Sequence, residues 1–257
     1  MSTAGDFLRA DWTSPPHARV QTLVTLRPGG YSEGPWSALD GRGGMNVGSG
    51  SDAAESVERN RARLREHLPA EPRWLRQVHG TRVLDAAQLG RVAPEADASF
   101  TTRPGVVCAV MIADCLPVLL SDAAGRGVAA AHAGWRGLAA GILQDTVRSL
   151  RTALGDPKAS IQAWLGPAIG PECFEVGADV LDAMRMQLPD AGSAFVATAT
   201  GKFHADLFEL ARQALTQVNV HEIQGGNLCT SCDPARFYSF RRDGVTGRHA
   251  ALIWMEG

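Results

Sequence analysis

Residues 106–134 read VVCAVMIADCLPVLLSDAAGRGVAAAHAG, and the fold class is decided there. Residues 106–112 (VVCAVMI) form a nearly continuous apolar run rich in Val. Such a run suits a strand buried on both faces. Residues 117–121 and 127–132 predict two more strands, joined by the polar turn DAAGRG. Ala113-Asp114-Cys115 separates the first strand from the second, and His132 ends the third. Gly134-Trp135-Arg136-Gly137 then opens a helix with a core face of Leu138, Ile142, Val147, Leu150 and Leu154.

Outward from this centre the mixture of strands and helices continues. On the N-terminal side, residues 1–44 are a loop-rich part, with PGGYSEGPW and the adjoining GRGGMNVGSG reading as loops. Asp52 and Glu55 fit a capping box for a helix whose face carries Val57, Leu64 and Leu68. Asn60 falls on the same face and reads as a boundary residue touching water. Residues 73–78 and 82–86 predict strands around a short turn that holds His79. On the C-terminal side, residues 161–165 predict a strand, and GPAIGPECFEV a loop feeding a helix to about Leu188. Leu207, Leu210, Ala214 and Val218 mark a further amphipathic helix, and SFRRD and AALIWM predict closing strands. The expectation is one α/β (α+β) domain over residues 1–257, with mixed sheets packed against helices.

Composition narrows the function. The 257 residues are 45% hydrophobic and 20% charged, with a formal net charge of −2. No polybasic run is present, which argues against nucleic-acid and membrane-surface partners. The longest apolar run is broken by Asp114 and Pro117, short of the roughly 20 residues that span a bilayer. The first residues lack a secretory pattern, so a cytoplasmic location is expected. Five scattered cysteines then read as reduced thiols.

His79, Cys115 and His132 each sit where a predicted strand gives way to a loop. Their long spacings match no short zinc-finger pattern. Their chemistry is more telling: two imidazoles and one thiolate suit Zn²⁺ and leave its fourth position open for a reactant. Copper would also bind such a set tightly. Asp114, beside the cysteine, is a candidate to orient a histidine or to take part in catalysis. Two other readings stay open. Cys115 can be a packed core thiol and the histidines ordinary polar residues. Alternatively Cys115 is a nucleophile with His132 as its base, in a metal-independent cysteine hydrolase.

Further candidates are Arg136, at a helix start where a phosphate could bind, and Asn46, within a glycine-rich loop that could touch a ribose or a base. Cys108 reads as core, and Cys173 as either a packed thiol or a site-lining one. Cys229-x-x-Cys232 lacks a second CxxC and is weak evidence for metal or redox chemistry. His204 and Asp206 read as capping or orienting residues, Trp135 as packing, and Arg241 and Arg242 as alternating along a strand.

Taken together, several segments carry a resemblance. These are Gln77-Val78-His79-Gly80, Ala113-Asp114-Cys115-Leu116-Pro117, Ala131-His132-Ala133-Gly134-Trp135-Arg136-Gly137, Gly166-Pro167-Ala168-Ile169-Gly170-Pro171, Cys173-Phe174-Glu175-Val176, Cys229-Thr230 and Tyr238-Ser239-Phe240-Arg241-Arg242-Asp243. From about Met45 to the C-terminus the chain resembles the YfiH-like laccase-domain family. The resemblance implies a sandwich related in architecture to the cytotoxic-necrotizing-factor type of cysteine hydrolase. It implies zinc on His79, Cys115 and His132. It also implies purine nucleoside phosphorylase activity on adenosine, inosine and methylthioadenosine with phosphate, with adenosine deaminase activity in some members. Other members go by polyphenol oxidase, with copper, or by peptidoglycan editing factor. A multicopper centre needs many histidines, commonly in H-x-H pairs; this chain has seven histidines and no such pair.

Overall fold

The computed structural model describes residues 7–12, 18–50 and 52–257. Two sheets lie face to face, and the sequence at 106–134 supplies strands to both. Cys108–Ile112 joins a four-stranded sheet, paired antiparallel to His249–Met255, which pairs in turn with Val20–Thr25. Leu116–Asp122 and Val128–Ala133 form a hairpin in the middle of a six-stranded sheet. The chain therefore crosses from one sheet to the other at Ala113-Asp114-Cys115. Asp114 makes the crossing in a left-handed backbone conformation, with φ 88°.

Period-two alternation explains why these strands lack a polar face. Val118 and Leu120 join the core under the helices, whereas Leu119 faces the opposite sheet. Ala129 and Ala131 likewise point to the helices, and Val128 and Ala130 to the space between the sheets. In the four-stranded sheet Cys108 and Val110 face that same space. Val107 and Ala109 face a third apolar layer closed by Leu64 of the helix Ala54–Arg65. The result is a mixed α/β domain layered helix, sheet, sheet, helices. Ile142–Ala153 and Leu207–Thr216 cover the six-stranded sheet, and a three-stranded sheet completes the molecule. Among the described residues, no helix is long and apolar enough to cross a membrane.

Several local expectations are corrected. The loop-rich part contains the strands Val20–Thr25 and Pro28–Ser32; its residues 1–6 and 13–17 lie outside the described residues. The capping box is absent: Ala53 is the N-cap, and Asp52 instead binds the Ala53 amide and the Asn46 side chain. Residues 73–78 run extended with only isolated bridges at Arg73 and Arg76. The helix opened by Gly134 breaks at Gly141, whose φ of 96° ends Trp135–Ala140 and starts Ile142–Ala153. SFRRD is a single helical turn, Phe240–Asp243, because the Ser239 hydroxyl accepts from the Arg242 amide and caps it. Arg241 and Arg242 therefore do not alternate along a strand. Asn60 is fully buried rather than at a boundary. Its side chain accepts from the Tyr31 amide and donates to Ser32, Gly44 and Asn46, which fixes the first glycine-rich loops.

Candidate metal centre

Three elements deliver three donor side chains to one point. Cys115 follows the sheet-to-sheet crossing, His132 lies near the end of Val128–Ala133 opposite Pro117, and His79 sits on a turn with φ 61°. The ligand atoms of His79, Cys115 and His132 all lie within 4.8 Å of one another. Cys115 Sγ is 3.7 Å from His79 Nε2, and the two imidazole rings meet edge to face at 4.8 Å. A tetrahedral zinc site has an S···N edge of about 3.6 Å, so the observed separation suits an ion between them. Gly134 makes the approach feasible. A Cβ there would lie 2.8 Å from His79 Cδ2 and 3.0 Å from Cys115 Sγ. The donor set therefore fits a thiophilic cation with one position left open.

Asp97, which the sequence reading passed over, organises the centre. It is completely buried and accepts from His132 Nδ1 at 2.9 Å. Its two oxygens also accept from the amides of Val78, His79 and Gly80, holding the left-handed turn at His79. Burial works against the charge on Asp97, yet the His132 ring and these amides outweigh it and bring the pKa below the usual carboxylate range. Burial likewise opposes the Cys115 thiolate, but the imidazoles of His132 and His79 outweigh that and lower its pKa. The His132 ring, pressed the other way by burial, is held up by Cys115 and Asp97.

The structure redirects three expected site residues. Asp114 orients no histidine: its buried carboxylate accepts from Thr230 Oγ1 and from the Arg241 amide, both at 2.6 Å. The left-handed backbone at Asp114 turns it away from the neighbouring cysteine. Asn46 is buried with its amide committed to Gly48, Asp52 and the Arg248 amide, so it shapes the loop rather than reaching a ligand. Arg136 is exposed and stacked over Trp135, its guanidinium carbon 4.4 Å from the ring centroid and outside the cavity beside the centre. Cys108 is core, as expected, and burial pushes its thiol up to about 12.

That cavity has a volume of about 630 Å³. His79, Cys115 and His132 form one wall, and Gly48, Ser49, Trp74, Phe240, Arg61 and Arg248 line much of the rest. Arg61 stacks over Trp74 at 4.5 Å and bonds the Val47 carbonyl; Arg248 lies over Phe240 at 5.9 Å. Burial lowers the pKa of both guanidinium groups, so an anion entering the cavity would restore favourable electrostatics to them. Arg61 lies on the helix Ala54–Arg65 and Arg248 just before the strand His249–Met255, but nothing in the sequence singles out either one.

Comparison with known proteins agrees with this architecture. The family described as multi-copper polyphenol oxidoreductase laccase matches residues 21–256. A purine nucleoside phosphorylase of Pseudomonas aeruginosa is 49% identical over 252 residues, covering 97% of this chain and 98% of that protein. The purine nucleoside phosphorylase YfiH of Escherichia coli is 46% identical over 239 residues, covering 92% and 94%. Among solved structures, a Neisseria meningitidis protein superposes with a TM-score of 0.90 at 46% identity, covering 98% of this chain and all of that one (100%). YlmD from Geobacillus stearothermophilus gives 0.89 at 33% identity, covering 100% and 98%.

Proposed function

The chain belongs to the laccase-domain family that includes YfiH, and from that premise we propose that it is a zinc-dependent purine nucleoside phosphorylase acting on adenosine, inosine or methylthioadenosine. The observation that carries this reading is one cavity lined by His79, Cys115 and His132 together with two half-buried arginines, Arg61 and Arg248. A pocket of about 630 Å³ is in the range of small-molecule sites and has room for a nucleoside beside a phosphate. The names of the relatives point to the same chemistry.

The residues take separate parts. Arg61 and Arg248 hold the phosphate dianion by charge-assisted hydrogen bonds. Trp74 and Phe240 offer aromatic faces to the purine. Zinc on His79, Cys115 and His132 would supply Lewis-acid polarisation of an oxygen ligand. Asp97 keeps His132 in the tautomer that presents Nε2 to the centre. A phosphate oxygen forms the new bond to C1′ as the bond from C1′ to the base nitrogen breaks. The proton that phosphate sheds ends on the departing base, leaving a sugar 1-phosphate. Arg136 and Asn46 have no part in this scheme, because neither lines the cavity. Among the described residues this cavity contains no four-copper donor set, so copper oxidase activity would need a metal exchanged into the same three ligands. Adenosine deaminase activity is not part of the proposal. A cytoplasmic location is, since free nucleosides and reduced thiols meet there.

One observation favours a second reading. Cys115 Sγ lies within 4.8 Å of the His132 ring, whose Nδ1 bonds Asp97, a thiol, imidazole and carboxylate set such as a cysteine hydrolase uses. The test is release of free base from a nucleoside panel with and without phosphate, together with metal analysis. Phosphate-dependent release that disappears with the metal in Cys115→Ala supports the phosphorylase. An active metal-free protein that cleaves amides or esters would establish the hydrolase instead.

A further inference from the structure

We propose that Cys173, Cys229 and Cys232 form a second metal site, taking a thiophilic divalent cation such as Zn²⁺ through three thiolates, apart from the His79 centre. The three sulfur atoms lie within 4.8 Å of one another. Cys173 Sγ and Cys232 Sγ are 3.3 Å apart, and a tetrahedral zinc thiolate has an S···S edge of about 3.8 Å. A shift of about half an ångström in the exposed Cys232 closes that difference.

The backbone around Cys229 has the form of a metal knuckle. Cys229 and Cys232 are spaced C-x-x-C, and the Cys232 amide donates to Cys229 Sγ at 3.3 Å. The Gly170 amide donates to the same sulfur at 3.2 Å. A neutral thiol is a weak acceptor, so two amides aimed at one sulfur indicate a site built for a thiolate. Gly170 also lets the two loops close, since a Cβ there would stand 3.1 Å from both Cys229 Cβ and Sγ. Three thiolates around Zn²⁺ carry one net negative charge, and two arginines contact the segments that bear the cysteines, Arg242 being also ion-paired with Asp243. Arg242 donates to the carbonyls of Thr230 and Ser231, between the two cysteines of the knuckle. Arg241 lies over Phe174, beside Cys173. Each thiol releases its proton to solvent as it ligates. Exposure of Cys232 provides entry and leaves a fourth position for water or an external ligand.

The site would brace the first centre without touching it. The loop bearing Cys229 pairs with Ala168, and Ile169 donates to the carbonyl of Asp114. Thr230, next to Cys229, holds the Asp114 carboxylate, and Asp114 precedes Cys115.

The experiment is zinc binding to the full reduced chain carrying Cys115→Ser, which disables the first centre whether or not the second exists. The expected result is a single zinc ion retained per chain and lost when Cys229→Ser is added. Co²⁺ in place of zinc should show thiolate charge-transfer absorption that follows the same pattern. A folded Cys115→Ser protein that binds no zinc overturns the proposal. Alkylation of the wild-type chain is a second measurement that needs no variant. Added zinc should slow modification of Cys232 by about tenfold or more. An unchanged rate overturns the proposal, as does a Cys173–Cys232 disulfide that forms with zinc present and excludes it. Neither readout uses phosphorolysis, so failure here leaves the phosphorylase reading to its own test.

Discussion

Asp97 accepts from His132 Nδ1 at 2.9 Å while its two oxygens hold the amides of Val78, His79 and Gly80. One buried carboxylate thus orients one ligand and sets the backbone of another. Asp97→Asn keeps the volume but replaces an accepting oxygen with a donor. Metal affinity should fall by about 10–100-fold. Competition against a chelator measures it, and an unchanged affinity would show that the turn at His79 stands without Asp97.

Gly134 has φ −65° and ψ 156°, a conformation open to any residue, so its glycine is required by space and not by backbone strain. Gly134→Ala places a methyl 2.8 Å from the His79 ring and 3.0 Å from the Cys115 sulfur. The variant should fold with a melting temperature close to wild type yet bind metal more weakly. Retention of full metal affinity would mean that the two ligands can separate and still share an ion.

Arg248→Ala removes a half-buried charge from the cavity wall. A hydrogen bond to a charged group is worth about 1.5–3 kcal/mol, so kcat/KM for phosphate should fall about 10–100-fold with the nucleoside KM little changed. Arg248→Lys should recover part of the loss, since a point charge replaces a fork. A rise confined to the nucleoside KM would reassign Arg248 to the sugar.

The strands at 106–132 were legible because each is apolar on both faces, and Cys115 and His132 stand near their ends, while His79 lies on a separate turn. What the sequence hid is long-range and polar. Asp97 lies at the end of a loop with no periodicity, and its partners are 17 to 35 residues away. Arg248 precedes the last strand and looks like any solvated arginine until folding brings it to the cavity. SFRRD has a strand's look, but the hydroxyl of its own first residue, Ser239, caps a helical turn instead. Asn60 lies on an apolar helix face, and only the loop packed against it supplies its partners. Proximity in space made these residues functional, and spacing in sequence does not encode it.

Asn60→Ala leaves the Tyr31 amide and the carbonyls of Gly44 and Asn46 without their buried partner. Each buried group left unsatisfied costs about 1–3 kcal/mol, so unfolding free energy should drop by about 3 kcal/mol or more. Denaturant titration reads this directly. A loss below about 1 kcal/mol would mean that water replaces the amide.

His249 is completely buried, accepts from the Tyr238 amide at 2.7 Å through Nε2, and has its pKa pushed down to about 3, chiefly by burial. The unfolded chain titrates this group near the ordinary value of 6.5. Between about pH 6.5 and pH 3 the unfolded state therefore binds a proton that the folded state refuses. Stability from neutral His249 is fully present above the upper value and declines as pH falls through this window. Above about pH 4.5 most carboxylates remain ionised, and Cys115, lowered to about 6, is common to wild type and variant, so the difference in slope between 6.5 and 4.5 reports the histidine. Wild-type melting temperature should fall across that interval, and His249→Gln, less stable at neutral pH, should show a flatter profile. Parallel slopes in the two proteins would place the acid sensitivity on another group.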